Sequence, residues 1–122
     1  MEGKLLFLDS LQKLRERYAK IPWILGGDFN MIKTLSEKKG GTRILTKYSC
    51  AFQTFIDSMK LVDITMNNGT FTWNNKRGGE SQVASKLDIF IISEDLMIKD
   101  KDIVASILLF GGLDHWPVQL DI

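Results

Sequence analysis

The side chains of this chain best suited to chemistry are a few polar residues at the ends of apolar segments. Asp28 and Asn30 follow "WILG" in "GGDFN", and Asp88 interrupts "KLDIF". The only histidine, His115, stands beside Asp114 in "LDHWP". Three carboxylates, a carboxamide and an imidazole are the groups needed for metal-assisted hydrolysis of a phosphate ester. In that chemistry a divalent cation takes oxygen ligands, a carboxylate orients the attacking water, and an imidazolium neutralises charge on the phosphoryl oxygens.

Each of these residues, taken alone, also has a purely structural interpretation. Asp28 can cap a turn, Asp88 can accept from a backbone amide, and His115 can be a half-buried histidine with one partner. Their joint placement favours chemistry, because we predict that three strands bring them to one edge of a sheet. A serine nucleophile explains less, since no serine lies in a nucleophile elbow.

Two amphipathic helices are predicted to pack on that sheet. Apolar residues recur at three- and four-residue steps from Lys4 to Lys20, ahead of Pro22, and again from Tyr48 to Lys60. The buried face of the first helix is predicted to hold Leu5, Leu8, Leu11, either Leu14 or Arg15, and Tyr18. That of the second is predicted to hold Phe52, Phe55, Ile56 and Met59.

The other apolar segments predict strands, and the segment from Lys33 to Lys47 predicts a loop with at most one helical turn. The predicted strands are "PWILGG", "LVDIT", "TFTWNN", "KLDIFIIS", "DIVASILLF" and "PVQLDI", with a brief helix in "SEDLMIKD". We expect one α/β (α+β) domain over residues 1–122, with a mainly antiparallel mixed sheet and two long helices on one face. The alternative is that some of these segments are buried helices.

Two of the predicted strands are apolar on both faces. The segments from Leu87 to Ile92 and from Ile103 to Phe110 are nearly continuous apolar runs, as in sheets covered on both sides. The two helices cover one face, and the chain has no spare element for the other. An apolar face of several strands predicts a partner, either a second copy of the chain or another protein.

Composition narrows the classes of function. Sixteen basic and fifteen acidic residues give a net charge of +1, so no global field draws the protein to nucleic acid or an acidic membrane. The single cysteine, Cys50, excludes an intramolecular disulfide and suits an intracellular compartment, either nuclear or cytoplasmic. No apolar run is long enough to cross a bilayer.

Local clusters of basic residues predict contacts to nucleic-acid phosphates. One cluster lies in the loop before Tyr48 and includes Lys47, against a single acidic residue, Glu37; a second follows "WNN". The predicted contacts are Lys33, Lys38, Lys39, Arg43, Lys76 and Arg77. The alternative is that these are solvated loops without a ligand.

Four segments together resemble the endonuclease/exonuclease/phosphatase superfamily, most closely the endonuclease domain of non-LTR (LINE-type) retrotransposons. They are "WILGGDFN", "FTWNN", "SKLDIFIIS" and "LDHWPVQL", in this order. The resemblance covers nearly the whole chain but only the C-terminal half of that family's domain. It implies half of a four-layered α/β sandwich and Mg²⁺- or Mn²⁺-dependent phosphoester hydrolysis.

The resemblance also implies a role for each polar residue. Asp28 would hold or deprotonate the attacking water, and Asn30 would position the scissile phosphate. His115 would bond a phosphoryl oxygen, with Asp88 fixing its tautomer and charge. Asp114 would lie beside the metal, which it and Asp28 would hold. The retrotransposon likeness selects DNA as substrate over RNA, a lipid head group or an inositol phosphate.

The chain departs from the family pattern in ways that predict low activity. The family's N-terminal half supplies an Asn and a Glu that anchor the metal, and no segment here matches them. Lys86 lies where the family usually has Arg, Ile89 where it has Arg or Tyr, and Leu113 where it has Ser. We therefore expect weak metal binding and little turnover from this chain alone.

Two functions from different classes follow. The first is the catalytic C-terminal half of a DNA phosphodiesterase. The second is an inactive retroelement-derived fragment that acts as a protein-interaction or self-associating module. Nicking of plasmid DNA that depends on His115 separates the two.

Overall fold

The computed structural model describes residues 2–42, 44–99, 102–108 and 114–122. Among them are three helices: α1 (Glu2–Arg17), α2 (Lys47–Ser58) and α3 (Glu94–Lys99). The described strands are β1 (Ile24–Asp28), β2 (Lys38–Lys39), β3 (Leu61–Asp63), β4 (Trp73–Asn74), β5 (Ala84–Ser85), β6 (Asp88–Ser93), β7 (Val104–Ile107) and β8 (Val118–Asp121). The predicted α+β class is confirmed. None of the described helices is both long and apolar enough to cross a membrane.

The strands form three small antiparallel sheets, where the sequence predicted one. Their orders are β1-β6-β3, β2-β5-β4 and β7-β8. The predicted strand "KLDIFIIS" starts two residues late, because the N–H groups of Leu87 and Asp88 donate to the Thr72 Oγ1 at 3.0 and 2.9 Å rather than to a neighbouring strand. The chain therefore leaves one sheet at Ser85 and enters the next at Asp88.

The two long helices pack on one face of the β1-β6-β3 sheet. Phe52 and Ile91 are fully buried there, beside Phe55, Ile56 and Leu8. The predicted face of α2 is confirmed, with Met59 at its border. On α1, Arg15 rather than Leu14 lies on the buried face, since Arg15 is 6% exposed and Leu14 is 46% exposed. The Arg15 Nε donates to the Met59 carbonyl oxygen at 3.0 Å, which ties α1 to the end of α2.

The second face of this sheet is partly covered from within the chain, which corrects the expectation that no element was available. A second core forms where Ile103, Ala105 and Ile107 of the β7 segment pack on Ile92 of β6. The cover stops short of β1, where Ile24 is 46% exposed.

Close packing on the β1 side requires a glycine. Gly26 lies opposite Phe90 in the ladder, and a Cβ at position 26 would lie 2.7 Å from two carbons of the Phe90 ring. The first glycine of "GGDFN" therefore allows an aromatic ring to lie flat on the strand that leads to Asp28.

A buried ion-pair network joins the loop after β1 to the sheet. The Asp63 Oδ2 accepts from Lys33 Nζ at 2.8 Å and from Lys86 Nζ at 3.0 Å, and Lys33 Nζ also contacts the Glu37 Oε2 at 3.1 Å. Burial alone would lower the pKa of Lys33, but the bonds and attraction to Asp63 and Glu37 outweigh it and leave that pKa raised. Glu37, which lies in the segment predicted to be a loop, is only 8% exposed.

Removing the central carboxylate of this network is expected to destabilise the fold strongly. Asp63→Asn removes the carboxylate that pairs with Lys86 and one of the two that pair with Lys33. Losing one partner of a buried pair costs about 3 kcal/mol of unfolding free energy. Urea denaturation followed by circular dichroism measures the loss.

The matched control is Asp9→Asn, which removes the exposed Lys13–Asp9 pair on α1. An exposed pair of this kind is worth well under about 1 kcal/mol. Equal stability losses in the two variants would contradict the structural importance of the network.

Candidate active site

Two carboxylates meet at the rim of the central sheet. Asp28 ends β1 and Asp88 begins β6, and the two residues are the last pair of the antiparallel register. Directly opposed residues of an antiparallel pair present their side chains on the same face, and like charges placed so are destabilising. This rim therefore favours a positive charge near the two carboxylates.

A third segment brings His115 to the same rim. The Trp116 N–H donates to the Thr72 carbonyl oxygen at 2.8 Å, and the Asn74 N–H donates to the Asp114 carbonyl oxygen at 2.9 Å. A β-bridge between Trp73 and His115 lies between these bonds. The segment before β8 thus runs along the edge of β4 and projects its imidazole toward the start of β6.

The imidazole lies between the two carboxylates. The His115 Nδ1 is 2.8 Å from the Asp88 Oδ2, and the Nε2 is 3.7 Å from the Asp28 Oδ2. The side chain of Asp88 is 15% exposed and that of Asp28 is 43% exposed, so the open side of the site is at Asp28. The hydrogen bond to Asp88, with attraction to Asp88, Asp28 and Asp114, raises the pKa of His115.

Asn30 and Asp114 lie beside this cluster. Asn30 has a left-handed backbone (φ 51°), and its N–H donates to the Asp28 Oδ1 at 2.8 Å. Such an Asx turn is a conformation that asparagine tolerates well. The Asp114 Oδ1 accepts from the His115 backbone N–H at 3.0 Å. Asp114 is not a member of the group formed by Asp28, Asp88 and His115, and the Asp28–Asp114 metal pair stays a prediction.

The donor set fits a weakly held hard cation. Asp28, Asp88 and His115 offer ligand atoms that all lie within 4.8 Å of one another, and among the described residues no glutamate joins them. A protonated imidazole has no lone pair to give, so the carboxylate oxygens of Asp28 and Asp88 are the ligands of this group that remain. Mg²⁺ and Mn²⁺ accept such oxygens, and Mg²⁺ keeps several waters.

The predicted nucleic-acid contacts differ in their surroundings. Lys33 is half-buried in the ion-pair network and is paired there with Glu37 and Asp63, and its phosphate contact stays a prediction. Lys39 and Lys76 each line a cavity beside Trp73, and the cavity of Lys76 also includes Asp114. Lys38 donates to the Thr42 carbonyl oxygen at 2.9 Å, and Arg77 is exposed. The predicted contact Arg43, and Leu113 among the family departures, lie outside the described residues.

Sequence reasoning missed Thr72 as a supporting residue. Its hydroxyl accepts from the N–H groups of Leu87 and Asp88, its carbonyl accepts from Trp116, and it is fully buried. One residue thereby holds both the Asp88 segment and the His115 segment. The available signal was a small polar residue between two aromatic ones in "FTW", at a position where a strand core is normally apolar.

Comparisons with known proteins do not assign the chain to a family. No protein-family model matches the chain, and a search of curated proteins finds no match. The chemistry of the site is therefore argued from its geometry.

The single histidine permits a direct titration test. In metal-free buffer, proton NMR of the His115 ring is expected to give a pKa above the usual value of about 6.5. Asp88→Asn should return it toward that value, because the charge-assisted hydrogen bond is lost, and the exposed Asp57→Asn should leave it unchanged. An unshifted His115 pKa in the unmodified chain would contradict the described geometry.

The same shift fixes the direction of the pH dependence of stability. A histidine whose pKa is raised by folding stabilises the folded state fully below the unfolded pKa of about 6.5. That contribution is lost as the pH rises through the folded pKa. The unfolding free energy, measured by urea titration at several pH values, should therefore fall over this range, and Asp88→Asn should flatten the fall.

Thr72→Val tests the missed residue. Valine keeps the shape but leaves the Leu87 and Asp88 N–H groups unsatisfied, which costs about 1–3 kcal/mol of unfolding free energy. Thr72→Ser keeps the acceptor and should lose less stability. A low-field NMR signal from the hydrogen-bonded Nδ1 proton of His115 should weaken in Thr72→Val and persist in Thr72→Ser; its persistence in both would argue against a positioning role.

Proposed function

We propose that this chain carries the reaction centre of a divalent-metal-dependent phosphodiesterase, endonuclease-like in action, with DNA as its substrate. The observation that carries the proposal is the His115 imidazole, bonded to Asp88 at 2.8 Å and facing Asp28 at 3.7 Å. A histidine held by a half-buried carboxylate and turned toward an exposed one suits attack of water on a phosphate group.

The two ring nitrogens have separate tasks in this reaction. The Nδ1–H donates to the Asp88 carboxylate, which orients the ring and favours its charged form. The Nε2–H faces the open side of the site, where it can donate to a phosphoryl oxygen. Charge that develops on that oxygen in the transition state is then stabilised by a preorganised donor.

Asp28 and Asn30 act on the water and the phosphate. The exposed Asp28 carboxylate accepts a proton from water as the water oxygen bonds to phosphorus and the bond to the leaving oxygen breaks. The Asn30 side chain, on a turn fixed by the Asp28–Asn30 bond, positions the phosphate. A divalent cation bound by Asp28 and Asp114 would supply positive charge to the phosphoryl group.

The basic residues at the rim favour nucleic acid as the substrate. With a net charge of only +1, attraction to a polyanion must be local, and Lys39 and Lys76 flank Trp73 close to Asp114. Because the described cluster has few fixed metal ligands, we propose weak metal affinity and slow turnover.

Plasmid nicking tests the proposed function. Supercoiled DNA incubated with the chain and Mg²⁺ or Mn²⁺ should be nicked slowly, and chelation of the metal should stop the reaction. His115→Ala should reduce the rate by about 10²–10³, the usual cost of losing one transition-state donor. Thermal melting of both proteins shows that the loss is chemical.

Nicking that His115→Ala leaves unchanged would point to a contaminating nuclease and contradict the proposal. Absence of nicking at every protein concentration would favour the second function, a self-associating or protein-interaction module. The exposed Ile24 on the uncovered part of the β1 face is the feature that supports this second function. Light scattering distinguishes the two, since the module should be a dimer or larger.

A further inference from the structure

A cavity of about 190 Å³ lies directly beside the candidate active site. It is bounded by the N-terminal part of α1, the loop after β1 and the start of α2. Among the described residues, no aspartate or glutamate lines it. The lining residues that matter here are Lys4, Asn30, Lys38, Thr46, Tyr48 and Ser49. We refer to this cavity as the Tyr48 cleft.

Two lysines from different helices converge on Tyr48. The Lys4 Nζ lies 5.6 Å and the Lys47 Nζ 5.3 Å from the centre of the Tyr48 ring. The Lys4 Nζ also donates to the Asn30 carbonyl oxygen at 3.0 Å. Neither lysine forms an ion pair with a described residue. Two ammonium groups beside a cavity without acidic residues create a local positive potential, although the chain as a whole is nearly neutral.

The start of α2 adds to this potential. Thr46 caps the helix by accepting the Ser49 N–H at 3.3 Å, and no acidic residue lies in the first turn. Helix N-termini favour negative charge, and Lys47 places positive charge there instead. Each lysine also contacts the Tyr48 ring. An anion bound near both ammonium groups would offset the unfavourable positive charge at the start of α2.

We propose that the Tyr48 cleft binds a backbone phosphate of a nucleic-acid strand, next to the phosphate that Asn30 positions. Asn30 connects the two sites, because it lines the cleft and also forms the turn with Asp28. The choice of a nucleic-acid strand rests on the proposed function, whereas the anion site rests on the cleft itself. Lys4, which lines the cleft, and Lys47, which lies next to it beside Tyr48, make the phosphate contact, and the Tyr48 ring positions both ammonium groups.

Fluorescence anisotropy with a short labelled DNA duplex tests the cleft without requiring catalysis. The double variant Lys4→Gln/Lys47→Gln should bind about tenfold more weakly at low salt, and the slope of log affinity against log salt should fall by about 2. Lys4→Arg/Lys47→Arg should restore binding. Lys4→Gln/Lys47→Gln should weaken binding by the same factor in the unmodified chain and in the His115→Ala background, which separates failure of the cleft from failure of the proposed hydrolysis.

The matched control is Lys20→Gln/Lys99→Gln, which removes the same charge beyond the C-terminal end of α1 and at the end of α3. Equal weakening in both double variants would show that only net charge matters and would overturn the proposal. Unchanged binding in Lys4→Gln/Lys47→Gln would overturn it too, as would binding of phosphatidylserine vesicles by a chain that binds no DNA.

Discussion

Two carboxylates fixed opposite each other across neighbouring strands impose the main constraint on this structure. The β1–β6 register ends with Asp28 against Asp88, an arrangement that positive charge close by stabilises. When protonated, His115 supplies that charge from a distant part of the chain. The protonated histidine is therefore a structural counter-ion, and in the proposed reaction its raised pKa also suits it to stabilise charge on a phosphate.

These groups come together where the chain breaks off one sheet and begins the next. If one strand ran without a break from Ala84 to Ser93, the Thr72 hydroxyl would not accept the N–H groups of Leu87 and Asp88. The break between β5 and β6 instead turns the Asp88 N–H toward the Thr72 hydroxyl, while the Thr72 carbonyl holds the segment that carries His115. Asp63 and Lys86 hold the other side of the same break through a buried ion pair. The irregular part of the sheet is thus the part that builds the site.

Sequence periodicity predicted the helices and most strands because each buries one consistent face. It also predicted that Asp28, Asp88 and His115 lie at one rim, because all three stand at the ends of apolar segments. Periodicity failed where polar groups turn inward. Glu37 and Lys33 looked like loop residues, and Thr72 looked like part of a strand, because a buried ion pair or side-chain hydrogen bond depends on partners far away in the sequence. The cover on the second sheet face was also missed, because it depends on contacts between distant segments. The strands β7 and β8 pair with each other and also pack on β6.

The charge on His115 also bears on how a metal would act at this site. A doubly protonated imidazole and a divalent cation compete for the same two carboxylates, so each weakens the hold of the other. The Asp88 side chain is 15% exposed and bonded to the ring, whereas Asp28 is 43% exposed and only 3.7 Å from it. A cation entering from solvent therefore meets Asp28 first and can share it without displacing His115 from Asp88. In the proposed reaction, this asymmetry would let the cation and His115 act on the same phosphate.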